Sequence, residues 1–452
     1  MTALDAAALR GELGRLCERH RVPGAQLAVR RTDSTVAVEY GVRSLDGGAP
    51  VTSATAFPAG SVTKAFTAAL ALVLVEDGDL AVDEPLTEDI PEFGAGKRVT
   101  LRHLLTHTAG LASAVSEPDP GGGYTRARWV RENTGEGDLV HPPGTVFSYS
   151  NAGYVVAGAL VEAVTGMDWR EAVGAILLDP LGITPSFVTG PPARSGREIA
   201  AGHTVRHGRD RTVVVPEQTL HAVEDPDGGL NASAADLVAF AGLFTDGGGA
   251  GGPLGRAMRA AMCRDQLDGI LSGPVGMADG WGLGLARYRD GRGRDIHGHD
   301  GSLDGVSCHL RVDPADGSAV ALTTNANTGQ QLWDELSGLL EAVGLPAGNG
   351  SGTAAIYAAA EAPPPPDCTG TYTNGPTVLT VERAPDGPLR LASEGRPAYA
   401  LTCRVGDAFS LHDLEGEPPL FAGRFLRDAD TGRTDGLLFS GRLARRVRQG
   451  DG

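Results

Sequence analysis

The chain has 452 residues, 41% hydrophobic and 21% charged, an ordinary globular balance that excludes wholesale disorder and a fibrous fold. At roughly 150 residues per domain that length suggests two or three domains, with enough apolar residues to bury a sizeable core around one concave site. Its 56 acidic against 39 basic residues leave a formal charge of −17, which argues against a general nucleic-acid binder, because neutralising phosphates needs a basic surface.

In chain order, residues 1–20 read as a charged amphipathic helix with Leu9, Leu13 and Leu16 on one side. This start has neither the basic n-region nor the apolar core of a signal peptide, and no run of about 18 apolar residues occurs. The cysteines, Cys17, Cys263, Cys308, Cys368 and Cys403, are scattered and without a CxxC pair, so neither a disulfide framework nor a zinc ribbon is expected. The chain is expected to be cytoplasmic. Residues 26–30 and 35–40 are β-rich and joined by Thr32-Asp33-Ser34, which predicts a hairpin. A helix is predicted from Ser61 to about Asp77, with Phe66, Leu70, Val73 and Leu74 on its apolar face. Helical stretches at 101–107, 151–165 and 234–244 alternate with Gly/Pro loops, which include the glycine runs at 121–123 and 247–252. A second β-rich group follows at 281–288, 305–312 and 319–324. Strands at both ends with helices between them predict one sheet built from distant parts of the chain, an α/β sandwich over residues 1–345. Residues 346–366 end in four prolines and read as a linker. Residues 367–452 carry short strands at 370–373, 377–381, 388–392, 398–403, 408–411, 422–427 and 436–440, the spacing of a small antiparallel barrel or sandwich.

The sharpest chemical signal is Gly60-Ser61-Val62-Thr63-Lys64 at a helix start. Positions i and i+3 share a helix face, so the Ser61 hydroxyl and the Lys64 amine can meet. A serine hydroxyl is a weak nucleophile until a neighbouring base takes its proton. A lysine kept neutral by burial and nearby positive charge can be that base, whereas arginine cannot. The chain has only two lysines, Lys64 and Lys97, among its 39 basic residues, so a lysine at this position is not a matter of abundance. The helix N-terminus also offers backbone N–H groups to a developing oxyanion. Tyr149-Ser150-Asn151 opens a second helix after the turn Pro142-Pro143-Gly144. A tyrosine can relay a proton and an asparagine can orient a lysine or hold a substrate amide, although the same triplet also serves as a plain helix cap. Gly298-His299-Asp300-Gly301-Ser302 precedes the last β-rich runs of the first domain, where glycine lets a substrate backbone approach a strand closely.

SxxK, YxN and HxG in that order resemble the serine β-lactamase and penicillin-binding-protein superfamily over residues 8–345, with class C-like spacing. The phrases Phe57-Pro58-Ala59-Gly60-Ser61 and Leu104-Leu105-Thr106-His107-Thr108-Ala109-Gly110-Leu111 agree with it. The resemblance implies a β-lactamase/transpeptidase-like α/β (α+β) fold with Ser61 as the acylated nucleophile, Lys64 as its base and Tyr149 as proton relay. It further implies that Asn151 contacts the lysine or substrate, and that the N–H groups of Ser61 and Ser302 form the oxyanion hole. His299 stands where many relatives carry the lysine of KTG. An imidazole supplies less fixed positive charge for a substrate carboxylate, which counts against lactamase and carboxypeptidase activity.

Ala278-Asp279-Gly280-Trp281-Gly282-Leu283-Gly284-Leu285, Gly298-His299-Asp300-Gly301 and Thr165-Gly166-Met167-Asp168-Trp169 are most similar to the penicillin-binding-protein-type thioesterases of nonribosomal peptide pathways. That resemblance runs end to end, with a lipocalin-like barrel after the linker. It implies release of a peptide from a carrier-protein thioester by head-to-tail macrolactam formation, with a D-residue at the acylated end. Trp281 either lines the pocket or packs in the core. Of the terminal basic cluster, Arg442, Arg445, Arg446 and Arg448, Arg446 is the residue expected to reach substrate, together with Gly301 on its strand.

His103 and His107 are spaced like zinc ligands but lack the intervening glutamate of HExxH, and His297 with His299 has no third ligand nearby. No metal or cofactor is expected, and no nucleic-acid or membrane partner; a monomer is expected. The reading is thus a serine acyltransferase and peptide cyclase. The alternatives are a cytoplasmic hydrolase on the same machinery (esterase, D-aminopeptidase or D-stereospecific peptidase) and a catalytically silent peptide-binding protein.

Overall fold

The computed structural model describes residues 5–31, 34–116, 123–189, 196–205, 212–215, 218, 220–245, 252–384, 387–393, 396–412, 414 and 420–447. Thr32 and Asp33 of the expected hairpin turn, most of both glycine runs and Arg448 lie outside them. The chain forms two compact units, 1–82 with 157–264 and 283–349, and 83–156 with 265–282 and 350–452.

In the first unit the strands run in the order Ser34–Gly41, Gly24–Arg31, Ser318–Thr324, Val306–Asp313, Asp295–Leu303, Ala286–Arg289, each antiparallel to its neighbour. Distant parts of the chain do share one sheet. Leu27, Val29, Val38, Val320 and Leu322 form one apolar face with Leu13, Leu16 and Cys17 of the helix Ala6–His20 and with Leu332, Trp333, Leu336 and Leu340 of the helix Gly329–Ala342. Asp5 caps the first of these helices and accepts the Ala7 N–H. The strand Asp295–Leu303 is missing from the β-rich runs read by composition, although the HxG motif is placed on a strand. Its Gly-, His- and Asp-rich sequence hides the apolar alternation that marks strands, yet it holds the whole HxG motif.

The helix predicted from Ser61 begins as an α-helix at Thr63 and ends at Asp77, before Gly78 in the left-handed region at φ 83°. It has no single apolar face. Every residue from Thr63 to Leu74 is buried, so this is an interior helix rather than a surface one. Ser61 lies in the 3-10 turn Gly60–Val62 that precedes it.

The second unit holds the short helices Leu101–Leu105 and Arg126–Asn133, the first turns of the helix Asn151–Thr165, and an eight-stranded closed barrel. The barrel strands are Gly370–Asn374, Thr377–Arg383, Leu389–Ser393, Arg396–Cys403, Ala408–His412, Phe421–Arg427, Thr434–Phe439 and Arg442–Arg446. Tyr372, Val381, Leu391, Phe409, Leu411, Phe425 and Leu437 fill it. The last strand was read as a basic cluster. It closes the barrel by pairing with Thr434–Phe439 on one side and Gly370–Asn374 on the other, burying Leu443 and Ala444 between its arginines. Within the stretch read as a linker, Ser351–Ala358 is helical, because its alanine-rich sequence favours a helix and the prolines come only afterwards. All five cysteines are free. Among the described residues no helix is long and apolar enough to cross a membrane.

Candidate active site

In the first unit Lys64 Nζ donates to Ser61 Oγ at 3.1 Å and to the Asp227 carbonyl at 2.7 Å, and lies 3.9 Å from Asp227 Oδ1. The 3-10 turn explains the first contact, since three residues per turn stack positions i and i+3 directly. Lys64 is wholly buried, and the Asp227 side chain lies beside it, itself 5% exposed. The segment carrying Asp227 is tied to the same helix. Thr67 Oγ1 donates to the Pro226 carbonyl at 2.7 Å and the Leu230 N–H donates to Thr63 Oγ1 at 3.1 Å. Nothing in the sequence pattern pointed to Asp227; its only signal is the turn chemistry of Asp225-Pro226-Asp227-Gly228-Gly229.

Two glycines let the Ser61 turn meet the HxG strand. Gly60 sits at φ 52°, and a Cβ there would fall 2.7 Å from the Ser302 carbonyl oxygen and 2.8 Å from Ser302 N. A Cβ on Gly301 would fall 2.0 Å from the Ala59 carbonyl oxygen and 3.0 Å from Ser61 N. Backbone therefore lies directly against backbone at Gly60–Ser61 and Gly301–Ser302, so Gly301 is required by this packing itself.

His299 is buried on that strand, and its Nδ1 lies 2.6 Å from the Asp300 carbonyl. A carbonyl only accepts, so Nδ1 carries the hydrogen and Nε2 the lone pair. Burial foremost, and then the positive charge of Lys64, push the imidazole down to about 4. His299 is accordingly neutral at physiological pH and presents no positive charge. His297 is buried two positions earlier, and among the described residues no group of three or more His, Cys, Asp or Glu side chains could hold a metal ion.

In the second unit the Tyr149 ring stacks on His107 at 4.2 Å, and Trp281 meets both rings edge-on at 6.0 and 5.0 Å. His107 adopts the left-handed φ of 57°, and its Nδ1 accepts the Ser150 N–H at 3.1 Å. Ser150 Oγ donates to the Ala112 carbonyl and caps the new helix by accepting the Gly153 N–H at 2.9 Å. The phrase Leu104–Leu111 is thus the support behind Tyr149, with His107 packed on its ring and accepting from the next residue. Trp281 is 1% exposed and belongs to this aromatic core. Asn151 Oδ1 is buried and has no hydrogen-bond partner among the described residues.

The barrel contributes directly to this group. The Tyr149 N–H donates to the Gly441 carbonyl at 2.8 Å, and the Leu443 N–H donates to Ser148 Oγ at 3.2 Å. Arg442 Nε donates to Ser113 Oγ at 3.0 Å, with its guanidinium 4.8 Å from the Tyr149 ring centre. Arg446, the residue expected to reach substrate, instead bonds the Asp367 and Thr369 carbonyls and fastens the start of the barrel. Among the described residues of the basic cluster, Arg442 is the one whose guanidinium meets a motif ring.

The family model described as Beta-lactamase matches residues 7–344. Penicillin-binding protein 4 of Amycolatopsis lactamdurans is 35% identical over 338 residues, 72% of this chain and 88% of the relative. The crystal structure of SurE has a TM-score of 0.84 and 36% identity, covering 98% of this chain and 99% of SurE. The structure of SurE with D-Leu has a TM-score of 0.81 and 34% identity over the same shares.

Proposed function

This chain belongs to the Beta-lactamase family, within the serine β-lactamase and penicillin-binding-protein superfamily of serine hydrolases and acyltransferases, and we propose that it is a peptide-cyclising thioesterase. Its substrate is a peptide held as a thioester on a carrier protein, with a D-residue at the acylated end. The observation that carries the reading is the Lys64 Nζ to Ser61 Oγ hydrogen bond of 3.1 Å, a nucleophile and base already in contact.

Ser61 Oγ attacks the thioester carbonyl as Lys64, in its neutral amine form, takes its proton and becomes the ammonium. The carbonyl oxygen becomes an oxyanion, which the N–H groups of Ser61 and Ser302 receive. Collapse breaks the C–S bond and the pantetheine thiol leaves with a proton that Tyr149 relays. In the second half the peptide's own amine attacks the acyl-Ser61 ester, loses a proton to the same groups, and restores the serine hydroxyl as the amide forms. Asn151 orients the lysine or the substrate amide. His299, with its lone pair at Nε2, accepts a hydrogen bond from the substrate. Two further findings support this substrate class over a carboxylate-bearing one. His299 is neutral, and the likeness to SurE extends through the barrel and includes a structure with D-Leu.

The acyl-enzyme is the direct test. Intact-mass spectrometry after mixing with a peptidyl thioester should show one peptidyl adduct that maps to Ser61 and disappears in Ser61→Ala. A protein that binds the thioester without forming an adduct would be a peptide-binding protein instead.

A further inference from the structure

The turn Asp225–Gly229 is built against the Ser61–Lys64 pair. Its successive carbonyls, of Pro226 and Asp227, accept from Thr67 Oγ1 and Lys64 Nζ at 2.7 Å each. Asp225 anchors the turn through its own carboxylate, which accepts from Arg170 Nε and Thr189 Oγ1 at 2.8 Å each. The Asp225 carbonyl accepts the Gly229 N–H at 2.9 Å and closes the turn. A Cβ on Gly228 would fall 4.0 Å from the Gly60 carbonyl carbon, so the turn also packs on the segment that carries Ser61. These contacts fix the place of the Asp227 side chain. Its Oδ1 stands 3.9 Å from Lys64 Nζ, which itself reaches Ser61 Oγ at 3.1 Å. The carboxylate is thus no farther from the nucleophile than those two contacts laid end to end, a reach that a single amine nitrogen can bridge.

A carboxylate only 5% exposed is costly unless a cation or hydrogen-bond donors meet it. Lys64 brings no charge while it acts as the base, and His299 is neutral. The charge fixed beside Ser61 by these groups is then negative, which suits a cationic part of the substrate and repels a carboxylate. We propose that Asp227 is a specificity-determining residue that receives the ammonium at the free end of the peptide carried on Ser61. The inference rests on the acyl-Ser61 reading above and names what selects the second nucleophile. The Asp227 carboxylate takes one proton from the ammonium and leaves an amine with a lone pair. That amine attacks the ester carbonyl, forms the C–N bond and passes its second proton to Lys64. Collapse breaks the C–O bond as Lys64 returns that proton to Ser61 Oγ, and Asp227 loses its own proton to solvent. Water carries no cation for Asp227 to hold, so the carboxylate favours aminolysis over hydrolysis.

Asp227→Asn keeps the backbone carbonyl and the side-chain shape but removes the negative charge. The probe is a peptidyl thioester with a free amino terminus, read as the rate of adduct formation on Ser61 and as the ratio of macrolactam to linear acid. The loss should fall on the ratio, by roughly tenfold or more, the scale of one hydrogen bond to a charged group. The adduct rate should change less. Asp227→Glu should recover part of the ratio. A merely structural role would slow the adduct and leave the ratio where it was, and an unchanged ratio in Asp227→Asn overturns the proposal. Where neither variant folds, the wild type decides. Once an amino-terminally acetylated peptidyl thioester has acylated Ser61, leucinamide should be joined to the peptide roughly tenfold faster than leucine, whose carboxylate Asp227 repels. Equal rates for the two overturn the proposal. A wild type that gives no adduct, or linear acid alone, defeats the functional reading itself. Adduct and macrolactam with an unchanged ratio in Asp227→Asn defeat this inference alone.

Discussion

The Arg442 guanidinium stands 4.8 Å from the centre of the Tyr149 ring, and the neighbouring Gly441 carbonyl accepts the Tyr149 N–H at 2.8 Å. One turn of the barrel, between its last two strands, therefore fixes both the backbone and the ring face of a motif residue. A cation over an aromatic ring contributes about 0.5–2 kcal/mol depending on desolvation. Replacing Arg442 also leaves Ser113 Oγ without this donor.

Arg442→Ala is accordingly expected to lower kcat for thioester turnover by roughly tenfold, with a smaller change in KM. Arg442→Lys should recover part of the loss, since it keeps the charge but not the planar fork. Steady-state kinetics of both variants, with the unfolding midpoint as control, checks this.

Lys64→Arg keeps a long basic side chain beside Ser61 but removes a group able to take its proton. Acylation of Ser61 should fall by roughly three orders of magnitude or more, as for other catalytic groups that act as a unit. Rapid-quench mass spectrometry of the adduct reads it directly. Asp227→Asn keeps the carbonyl that accepts from Lys64 Nζ and removes only the carboxylate 3.9 Å away. It should therefore slow acylation far less than Lys64→Arg.

Gly60→Ala should damage both stability and activity. The φ of 52° costs a non-glycine residue on the order of 1 kcal/mol, and the added Cβ would also press on Ser302 backbone atoms under 3 Å away. Gly78 has a similar φ of 83° but open space around its Cβ, so Gly78→Ala carries the strain without the clash. Comparing the two midpoints separates the terms, and Gly60→Ala should show the larger drop.

Burial holds His299 and His141 at about 4, below the ordinary histidine value of 6.5. Below 6.5 the unfolded chain binds protons at these positions that the folded chain does not. Stability from these groups is thus fully present above about pH 6.5 and is lost as the pH falls towards 4. The unfolding midpoint should decline over that window, and less steeply in His141→Gln. A midpoint that is flat from pH 7 to 4 would contradict this assignment.

The three motifs could be picked out of the sequence because each is contiguous. Ser61 and Lys64 are three residues apart, Tyr149 and Asn151 two, and His299 and Gly301 two, so local geometry alone groups them. Their supports could not be read, because folding joins positions far apart. Lys64 meets Asp227 across 163 positions, and Arg442 meets Ser113 across 329. The strand that carries His299 lacks apolar alternation, and the strand that closes the barrel alternates arginines with small or apolar residues and so resembles a surface cluster. The spacing of the barrel's turns marked seven of the eight strands as a small barrel or sandwich, and only the family resemblance pointed to the barrel.

The most direct test of the account is the product formed from a synthetic peptidyl thioester, a hexa- or octapeptide with a free L amino terminus and a D carboxyl-terminal residue. Mass spectrometry separates the macrolactam from the linear acid by one water. The account predicts a macrolactam that requires Ser61 and is not made from the peptide ending in an L-residue. Linear acid as the sole Ser61-dependent product would contradict it and make this chain a hydrolase.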